Sequence, residues 1–254
     1  MSKVIIKTPD DIAKIKQAVA IWKKCRQVIR DFVKPGVSLL EIDELAKNTI
    51  IKNGGTPTFY KKYGFPGNIC ISVNQCVIHG VPTNYIIKEK DMITFDVGVT
   101  YDNHVCDAAF TVIVGHNIEA KQISDVCLSA IYDAASSIIP NVTTNMSLAK
   151  RIQNFIEVNG YKVLHDFTGH GCGNELHEDP MIPNYYSELF KKEVLRPNMV
   201  ICIEPMILTN DNAYFIDPFD EWSVIAKNQK LTCHWEHMIL ITENGYEILT
   251  QEEN

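Results

Sequence analysis

The stretch "TFDVGVTYDNHVCDAAFTV" at residues 94–112 places two aspartates, Asp96 and Asp107, among apolar and β-branched residues. Its pattern predicts two strands joined by a reversal at "TYDN", centred between Tyr101 and Asp102. With that centre the two aspartates are directly opposed and point to one face of the sheet, with Cβ atoms roughly 5 Å apart. Two like charges so placed repel each other and lose hydration. The arrangement therefore predicts a compensating divalent cation.

Two further acids lie in apolar segments of the second half of the chain. Glu204 occurs in "MVICIEPMI" and Glu236 in "HWEHMILIT", and charged side chains are rarely fully buried without a partner. His170, in the glycine-rich "FTGHGCG", adds a nitrogen donor of the type that favours transition metals over calcium or magnesium. A single acid in a strand is more often a salt-bridge partner or an edge residue. Four carboxylates and one imidazole together predict a two-metal site that activates a water molecule.

Composition narrows the class of protein. The chain has 254 residues, 46% apolar and 22% charged, enough for a full core. Because no apolar run reaches the roughly 18 residues that cross a bilayer and the N-terminus has no signal-peptide pattern, we expect a cytoplasmic protein without membrane contact. The eight cysteines contain no CxxC pair, which favours reduced packing residues. The net charge of −7 and the lack of a dense basic block disfavour nucleic acid and favour a small-molecule or peptide ligand.

The order of the predicted elements occurs twice along the chain. A helix follows a cap at Thr8, and a second follows Ser38, where Glu41 completes a capping box. Strands are then expected over residues 70–114. The second half starts with a helical stretch at residues 119–139 that Pro140 ends, and continues with a helix that ends at 158–160 and strands to the C-terminus.

Short alignments between the two halves support an internal repeat. "IKEKDMITFD" aligns with "LRPNMVICIE", which sets Asp96 opposite Glu204. "VIHGVP" aligns with "ELHEDP" through a shared His-x-x-Pro, and the helix entries "KPGVSLLEI" and "IPNVTTNMS" correspond as well. We therefore expect one catalytic domain over residues 1–254, built from half-repeats at about 1–115 and 116–254 with a pseudo-twofold axis.

Five segments in a fixed order resemble the signature blocks of type I (bacterial) methionine aminopeptidases, of the peptidase M24 family: "IHGVP", "FDVGVTYDNHVCDAAFTV", "TGHGCGNELHEDP", "ICIEPM" and "WEHMILIT". The resemblance covers essentially the whole chain. It implies the α/β pita-bread fold, in which two pseudo-twofold-related halves form an antiparallel sheet covered by helices.

The resemblance also implies the roles of the acids. The metal ligands are expected to be Asp96, Asp107, His170, Glu204 and Glu236. Asp107 and Glu236 would bridge two divalent ions (Co, Mn, Fe or Zn), Asp96 would complete the shell of one ion, and His170 with Glu204 that of the other. Glu204 would also accept a proton.

Further residues match the substrate side of the family. His79 and His177 match its two non-ligand histidines, expected to contact the scissile amide and the tetrahedral intermediate. Phe65, Cys70 and Trp222 match the methionine pocket. Two positions depart from the family pattern: Leu176 stands where phenylalanine is usual, and His234 where glutamine is common. A monovalent-cation site would use backbone oxygens near Asn74, Cys76 and Thr232.

The implied activity is the removal of the initiator methionine from nascent polypeptides, at the ribosome, when the second residue is small. We expect a monomer. The nearest alternative is an Xaa-Pro aminopeptidase or prolidase of the same fold, which would use the same ligands but usually carries a long N-terminal domain. A non-catalytic pita-bread binding module is a further alternative, although such relatives lose ligands that this sequence retains. A type II methionine aminopeptidase would need a helical insertion between His170 and Glu204, for which the sequence has no room.

Overall fold

The computed structural model describes residues 4–251, apart from the side chains of residues 61 and 62. The ends of the predicted 1–254 domain therefore lie outside the described residues. The helices are α1 (Pro9–Phe32), α2 (Leu39–Lys52), α3 (Thr58–Tyr63), α4 (Ile118–Ser136) and α5 (Asn145–Val158). The strands are β1 (Thr56–Pro57), β2 (Cys70–Val73), β3 (Cys76–Ile78), β4 (Met92–Tyr101), β5 (His104–Ile113), β6 (Tyr161–Val163), β7 (Thr168–Gly171), β8 (Glu178–Pro183), β9 (Val200–Ile203), β10 (Met206–Thr209), β11 (Tyr214–Ile216), β12 (Val224–Ala226), β13 (Thr232–His234), β14 (His237–Ile241) and β15 (Tyr246–Ile248).

The candidate site residues of both halves lie on or beside antiparallel sheets. The first half contributes the order β1-β4-β2 with β5 paired to β4, and the second half contributes β15-β14-β9-β7-β8. Two smaller sheets, β13-β10-β6 and β11-β12-β3, complete the structure. Helices α1 and α2 pack together beside the first sheet, as α4 and α5 do in the second half.

The predicted helix starts are confirmed. The Thr8 hydroxyl accepts the Asp11 N–H at 3.2 Å while the Asp11 carboxylate accepts the Thr8 N–H at 2.8 Å, a reciprocal capping box. Ser38 and Glu41 form the same pair at the start of α2. The short helix α3 was not predicted, because six residues are too few to show a helical period.

The hairpin itself has a different register from the prediction. Tyr101 pairs with His104, so the two-residue turn is Asp102–Asn103, at φ angles of 44° and 60°. A two-residue turn of this kind needs positive φ at both central positions, and Asp and Asn tolerate that conformation better than Tyr does. The expectation of a turn centred between Tyr101 and Asp102 was therefore wrong.

The expectation that Asp96 and Asp107 are directly opposed was wrong for the same reason. Asp96 pairs with Ala109, and Asp107 pairs with Gly98. The register moved by an even number of residues, so both carboxylates stay on one face as diagonal neighbours. The electrostatic argument therefore holds for the corrected register.

Equivalent contacts occur in the two halves of the chain. Ser38, at the start of α2, forms an isolated bridge with Ile86, and Thr144, at the start of α5, forms one with Val194. Each bridge partner lies ten residues before one of the two acids that the sequence alignment pairs. These contacts agree with a duplicated unit, and the boundary near residue 115 stays a prediction.

The hairpin of the first half lies against the sheet of the second half. The N–H of Glu236 donates to the carbonyl of Ala109 at 3.0 Å, and the N–H of Val105 donates to that of Gly173 at 2.7 Å. All eight cysteines are free thiols, and all but Cys76 are buried, as expected for packing residues. Among residues 4–251, every helix is too short or too polar to cross a bilayer.

Candidate metal centre

One cavity of about 460 Å³ lies at the junction of the hairpin and the second sheet. Asp96 and Asp107 come from β4 and β5, and His170 from β7. Glu204 directly follows β9, and Glu236 lies between β13 and β14. The structure thus brings together all five residues that the sequence assigns as ligands, and each of them lines this cavity.

The donor atoms form overlapping groups. Asp96, Asp107 and Glu236 place ligand atoms within 4.8 Å of one another, as do His170, Glu204 and Glu236. Glu236 belongs to both groups because its backbone is hydrogen-bonded to β5 at the junction of the two halves. The geometry therefore supports two neighbouring cation positions that share a carboxylate.

The tautomer of His170 follows from its hydrogen bond. Nδ1 lies 2.9 Å from the carbonyl oxygen of Gly171, and since a carbonyl only accepts, Nδ1 carries the proton of the neutral ring. The lone pair on Nε2 then faces Glu204 Oε1 at 3.3 Å and Asp107 Oδ2 at 3.7 Å. Lone pairs that face one another at these distances repel unless a proton or a metal ion lies between them.

Burial sets the protonation of the site. It raises the pKa of Asp96 to about 7. It also raises the pKa of Asp107, Glu204 and Glu236 well above the ordinary values, and neighbouring carboxylates add to the increase. Burial, together with His177, lowers the pKa of His170 to about 3, so its ring is neutral near pH 7. The chain thus holds four acids where a negative charge is costly without a cation.

The residues fit a divalent metal. Asp96 Oδ1, Asp107 Oδ1 and Glu236 Oε1 are buried and have no hydrogen-bond partner among the described residues. Such atoms are rare unless an ion or a water molecule satisfies them. Of the described side chains that line the cavity, none is a lysine or an arginine. Among the described side chains, therefore, none that lines the cavity supplies a compensating lysine or arginine charge.

The two histidines that the sequence does not assign as ligands face the same cavity. The ring of His177 lies 4.4 Å from that of His170, in an edge-to-face arrangement. His79 has a φ of 57°, and a Cβ on the following Gly80 would lie 2.3 Å from the carbonyl oxygen of Ile71. Only glycine allows that close approach, so "HG" fixes the turn that presents His79. Burial, with a smaller effect of His177, lowers the pKa of His79 to about 4.

The predicted methionine-pocket residues form one wall of the cavity. Phe65 and Trp222 meet edge to face with ring centroids 5.4 Å apart, and Cys70 lines the same wall. Leu176, at the departing position, is buried and also lines the cavity. His234 is buried but lies outside the lining, with Nδ1 3.4 Å from the carbonyl oxygen of Pro205.

Sequence reasoning missed several lining residues: Phe59, Tyr63, Ile78, Asp166, Phe167, Thr168, Glu178, Asp179, Met181 and Met206. Tyr63 and Phe167 lie close in sequence to predicted residues, since Tyr63 precedes Phe65 and Phe167 begins "FTGHG". Their closeness in sequence to predicted site residues could have identified them as lining residues. Glu178 follows His177 and Met206 lies two residues after Glu204, but adjacency alone does not show whether they face the cavity, because which face of a short strand turns inward depends on the packing of its sheet.

The predicted monovalent-cation residues lie together. The hydroxyl of Thr232 lies 3.0 Å from the carbonyl oxygen of Asn74 and 3.1 Å from that of Cys76. The two carbonyl oxygens therefore converge on one point, as oxygen ligands of a cation do.

Comparisons with known proteins place the chain in a family. A family model described as metallopeptidase family M24 matches residues 13–243, and the chain belongs to this family. Within it, a methionine aminopeptidase of Mycoplasmoides gallisepticum is 43% identical over 252 residues, which cover 97% of this chain and 99% of that protein.

Solved structures agree with the fold. A methionine aminopeptidase from Thermotoga maritima superposes with a TM-score of 0.93 at 35% identity and covers 98% of this chain and 100% of its own. A prolidase from Pyrococcus furiosus superposes with a TM-score of 0.80 at 27% identity, and the match spans 98% of this chain but 66% of the prolidase. The pita-bread fold predicted from the sequence is confirmed.

Proposed function

We propose that this chain is a methionine aminopeptidase, which hydrolyses the bond after an N-terminal methionine when the second residue is small. One observation carries the proposal: five metal-ligand candidates, two further histidines and a wall of aromatic and sulfur-bearing residues line a single cavity. The similarity to methionine aminopeptidases over nearly the full length of both proteins supports it.

We assign two divalent cations to the ligands. Asp96, Asp107, His170, Glu204 and Glu236 would hold them, with Glu236 common to both groups of donor atoms. When bound, such ions supply Lewis-acid chemistry and activate a water molecule. Carboxylate and imidazole donors suit manganese, iron, cobalt and zinc. The carbonyls near Thr232 would hold a monovalent cation that stiffens the strands behind the site.

Glu204 is the proposed proton acceptor. Its buried carboxylate has a raised pKa and is therefore more basic than an exposed glutamate. Its Oε1 lies 3.3 Å from His170, within the group of donors that faces the cavity. A water proton taken up at this oxygen leaves toward the amine of the departing peptide.

His79 acts as a neutral donor. Because its pKa is lowered to about 4, the ring of His79 has one N–H available near neutral pH. A neutral donor stabilises negative charge that develops on the scissile carbonyl without being consumed as an acid. His177, whose ring lies 4.4 Å from that of His170, would contact the tetrahedral intermediate.

The pocket wall recognises the methionine side chain. Phe65 and Cys70 are buried, and Trp222 closes the wall edge to face with Phe65. A thioether packs well against aromatic ring edges. Initiator methionines are incorporated by ribosomes, so we place the protein in the cytoplasm, where it acts on nascent N-termini. We propose that it acts as a monomer.

The test is methionine release from Met-Ala-Ser by protein freed of metal and then reloaded separately with Mn²⁺, Fe²⁺, Co²⁺ or Zn²⁺. The proposal expects release with at least one metal and loss of about 10³-fold or more in Asp107→Ala. A matched control is Asp125→Ala, which removes an exposed carboxylate paired with Lys121 on α4. It should release methionine at the wild-type rate.

An Ala-Pro-Ser peptide, assayed in parallel, tests the prolidase alternative. Faster hydrolysis of that peptide than of Met-Ala-Ser would reassign the specificity. No hydrolysis of either peptide with any of the four metals would favour a binding module instead.

A further inference from the structure

A buried ion pair joins the N-terminal segment to the cavity wall. The ammonium of Lys7 contacts Glu178 Oε2, and the two side chains are 1% and 2% exposed. The residues are 171 positions apart in sequence. Lys7 is also fixed through its backbone, since its N–H donates to the carbonyl of Asn198 at 2.8 Å. A charge buried this completely is costly to the fold unless its partner is held in place.

The second oxygen of Glu178 holds the adjoining loop. Its Oε1 accepts the backbone N–H groups of Asn174 at 2.7 Å and of Glu175 at 2.9 Å. This segment, residues 172–177, connects β7 to β8, and we call it the His177 loop. At Gly173, with φ of 129°, an added Cβ would lie 3.0 Å from Lys7 Cε. The loop therefore packs directly on the lysine stem.

The start of α1 makes a second contact with the same loop. The side-chain amide of Asn174 donates to Asp11 Oδ1 at 3.2 Å. That oxygen also lies 2.8 Å from His104 Nε2, beside the turn of the β4–β5 hairpin. The N-terminal segment thus touches the loop on one side and the hairpin on the other.

We propose, on the basis of the function assigned above, that Lys7 is a positioning residue for His177. His177 immediately precedes Glu178, and Glu178 lines the cavity. By neutralising Glu178 and orienting it, Lys7 keeps the carboxylate aligned with the two loop N–H groups. That alignment fixes the direction in which the loop presents His177 beside His170.

The physical reason is the fixed geometry of a charge-assisted hydrogen bond. Glu178 accepts two backbone donors at one oxygen and an ammonium at the other, so its orientation is determined from both ends. Without Lys7 the carboxylate turns toward water in the cavity, and the loop donors lose their acceptor. A displacement of about 1 Å at a reacting geometry lowers rates by about 10²-fold.

The experiment uses the full chain with the paired substitution Lys7→Met/Glu178→Gln. This pair leaves no buried unpaired charge and keeps an oxygen that can accept the loop N–H groups, so it is expected to fold, but it removes the charge-assisted contact that fixes the direction of that oxygen. We expect kcat/KM on Met-Ala-Ser to fall about 10- to 100-fold at temperatures well below melting. In a His177→Ala background, the same pair should change kcat/KM by less than about 2-fold. The matched control is Lys16→Met on α1, which breaks an exposed ion pair with Glu247 on β15 and should leave kcat/KM unchanged.

A wild-type kcat/KM in the paired variant, or an equal loss in the His177→Ala background, overturns the proposal. The first outcome makes the ion pair purely structural, and the second makes Glu178 act on substrate directly. A second readout is independent of activity: the His177 ring signal in histidine-labelled protein, identified by its absence in His177→Ala. The signal should shift or broaden in the paired variant and stay unchanged in Lys16→Met. If the wild type releases no methionine, the proposed function fails, and an unperturbed ring signal would separately reject the positioning role.

Discussion

Asp43 on α2 holds the loop that carries Phe65, and its truncation should weaken both the fold and the methionine pocket. One carboxylate oxygen accepts the backbone N–H groups of Asn68 at 2.7 Å and of Ile69 at 3.1 Å. The other accepts the side-chain amide of Asn68 at 2.6 Å. Asp43 is 8% exposed, so water reaches these donors poorly.

The size of the effect follows from the donors that lose their acceptor. Each buried N–H left without a partner costs about 1–3 kcal/mol, so Asp43→Ala, which strands two backbone groups, should cost about 2–5 kcal/mol. Asp43→Asn retains an oxygen for both backbone donors, so we expect a loss of about 1–2 kcal/mol. Since Phe65 lies three residues before Asn68, the alanine variant should also raise KM for Met-Ala-Ser more than it lowers kcat.

Urea unfolding followed by circular dichroism measures the free-energy change, and initial rates give the kinetic constants. Glu44→Ala is the control, because Glu44 neighbours Asp43 on the same helix and makes exposed contacts with Lys47 and Asn48. Its effect should stay within about 0.5 kcal/mol. A loss below about 1 kcal/mol in Asp43→Ala, or a cost in Asp43→Asn equal to that in Asp43→Ala, would refute the reasoning.

Two further outcomes are expected. After chelation of metal, the free energy of unfolding of the wild type relative to Asp96→Asn should fall by about 4 kcal/mol as pH rises from 3 to 7, because the pKa of Asp96 is about 7 in the folded protein against an ordinary 3.8; the comparison cancels the opposite effect of the buried histidines, urea unfolding of both proteins across this range measures the fall, and a pH-independent difference would contradict it. Saturating Mn²⁺ should remove most of that fall. Gly80→Ala should lower the melting temperature, because its Cβ would lie 2.3 Å from the carbonyl oxygen of Ile71; Gly245→Ala, with no heavy atom within 4 Å, is the control, and equal melting temperatures would argue against the close approach.

Helix starts and the inventory of acids were predictable because they depend on residues a few positions apart. Thr8 and Asp11 form a capping box through atoms three residues apart, so the sequence contains both partners of the interaction. The buried acids were conspicuous because an apolar segment rarely contains a charge without a partner. The hairpin was predicted, but its register was not. The predicted centre lay between Tyr101 and Asp102, whereas the turn forms at Asp102 and Asn103 because these residues tolerate positive φ.

The sequence by itself determined which residues are candidates for the chemistry, through residue type, local pattern and a resemblance between whole motifs. Only the tertiary structure decided how they meet. Glu236 reaches β5 through one backbone hydrogen bond to Ala109, and Lys7 reaches Glu178 across most of the chain. Contacts of this kind depend on the packing of two halves and on the register of their sheets, which are set by the total surface buried and by interstrand hydrogen bonds. No local pattern encodes those quantities, because each is a property of segments far apart in sequence.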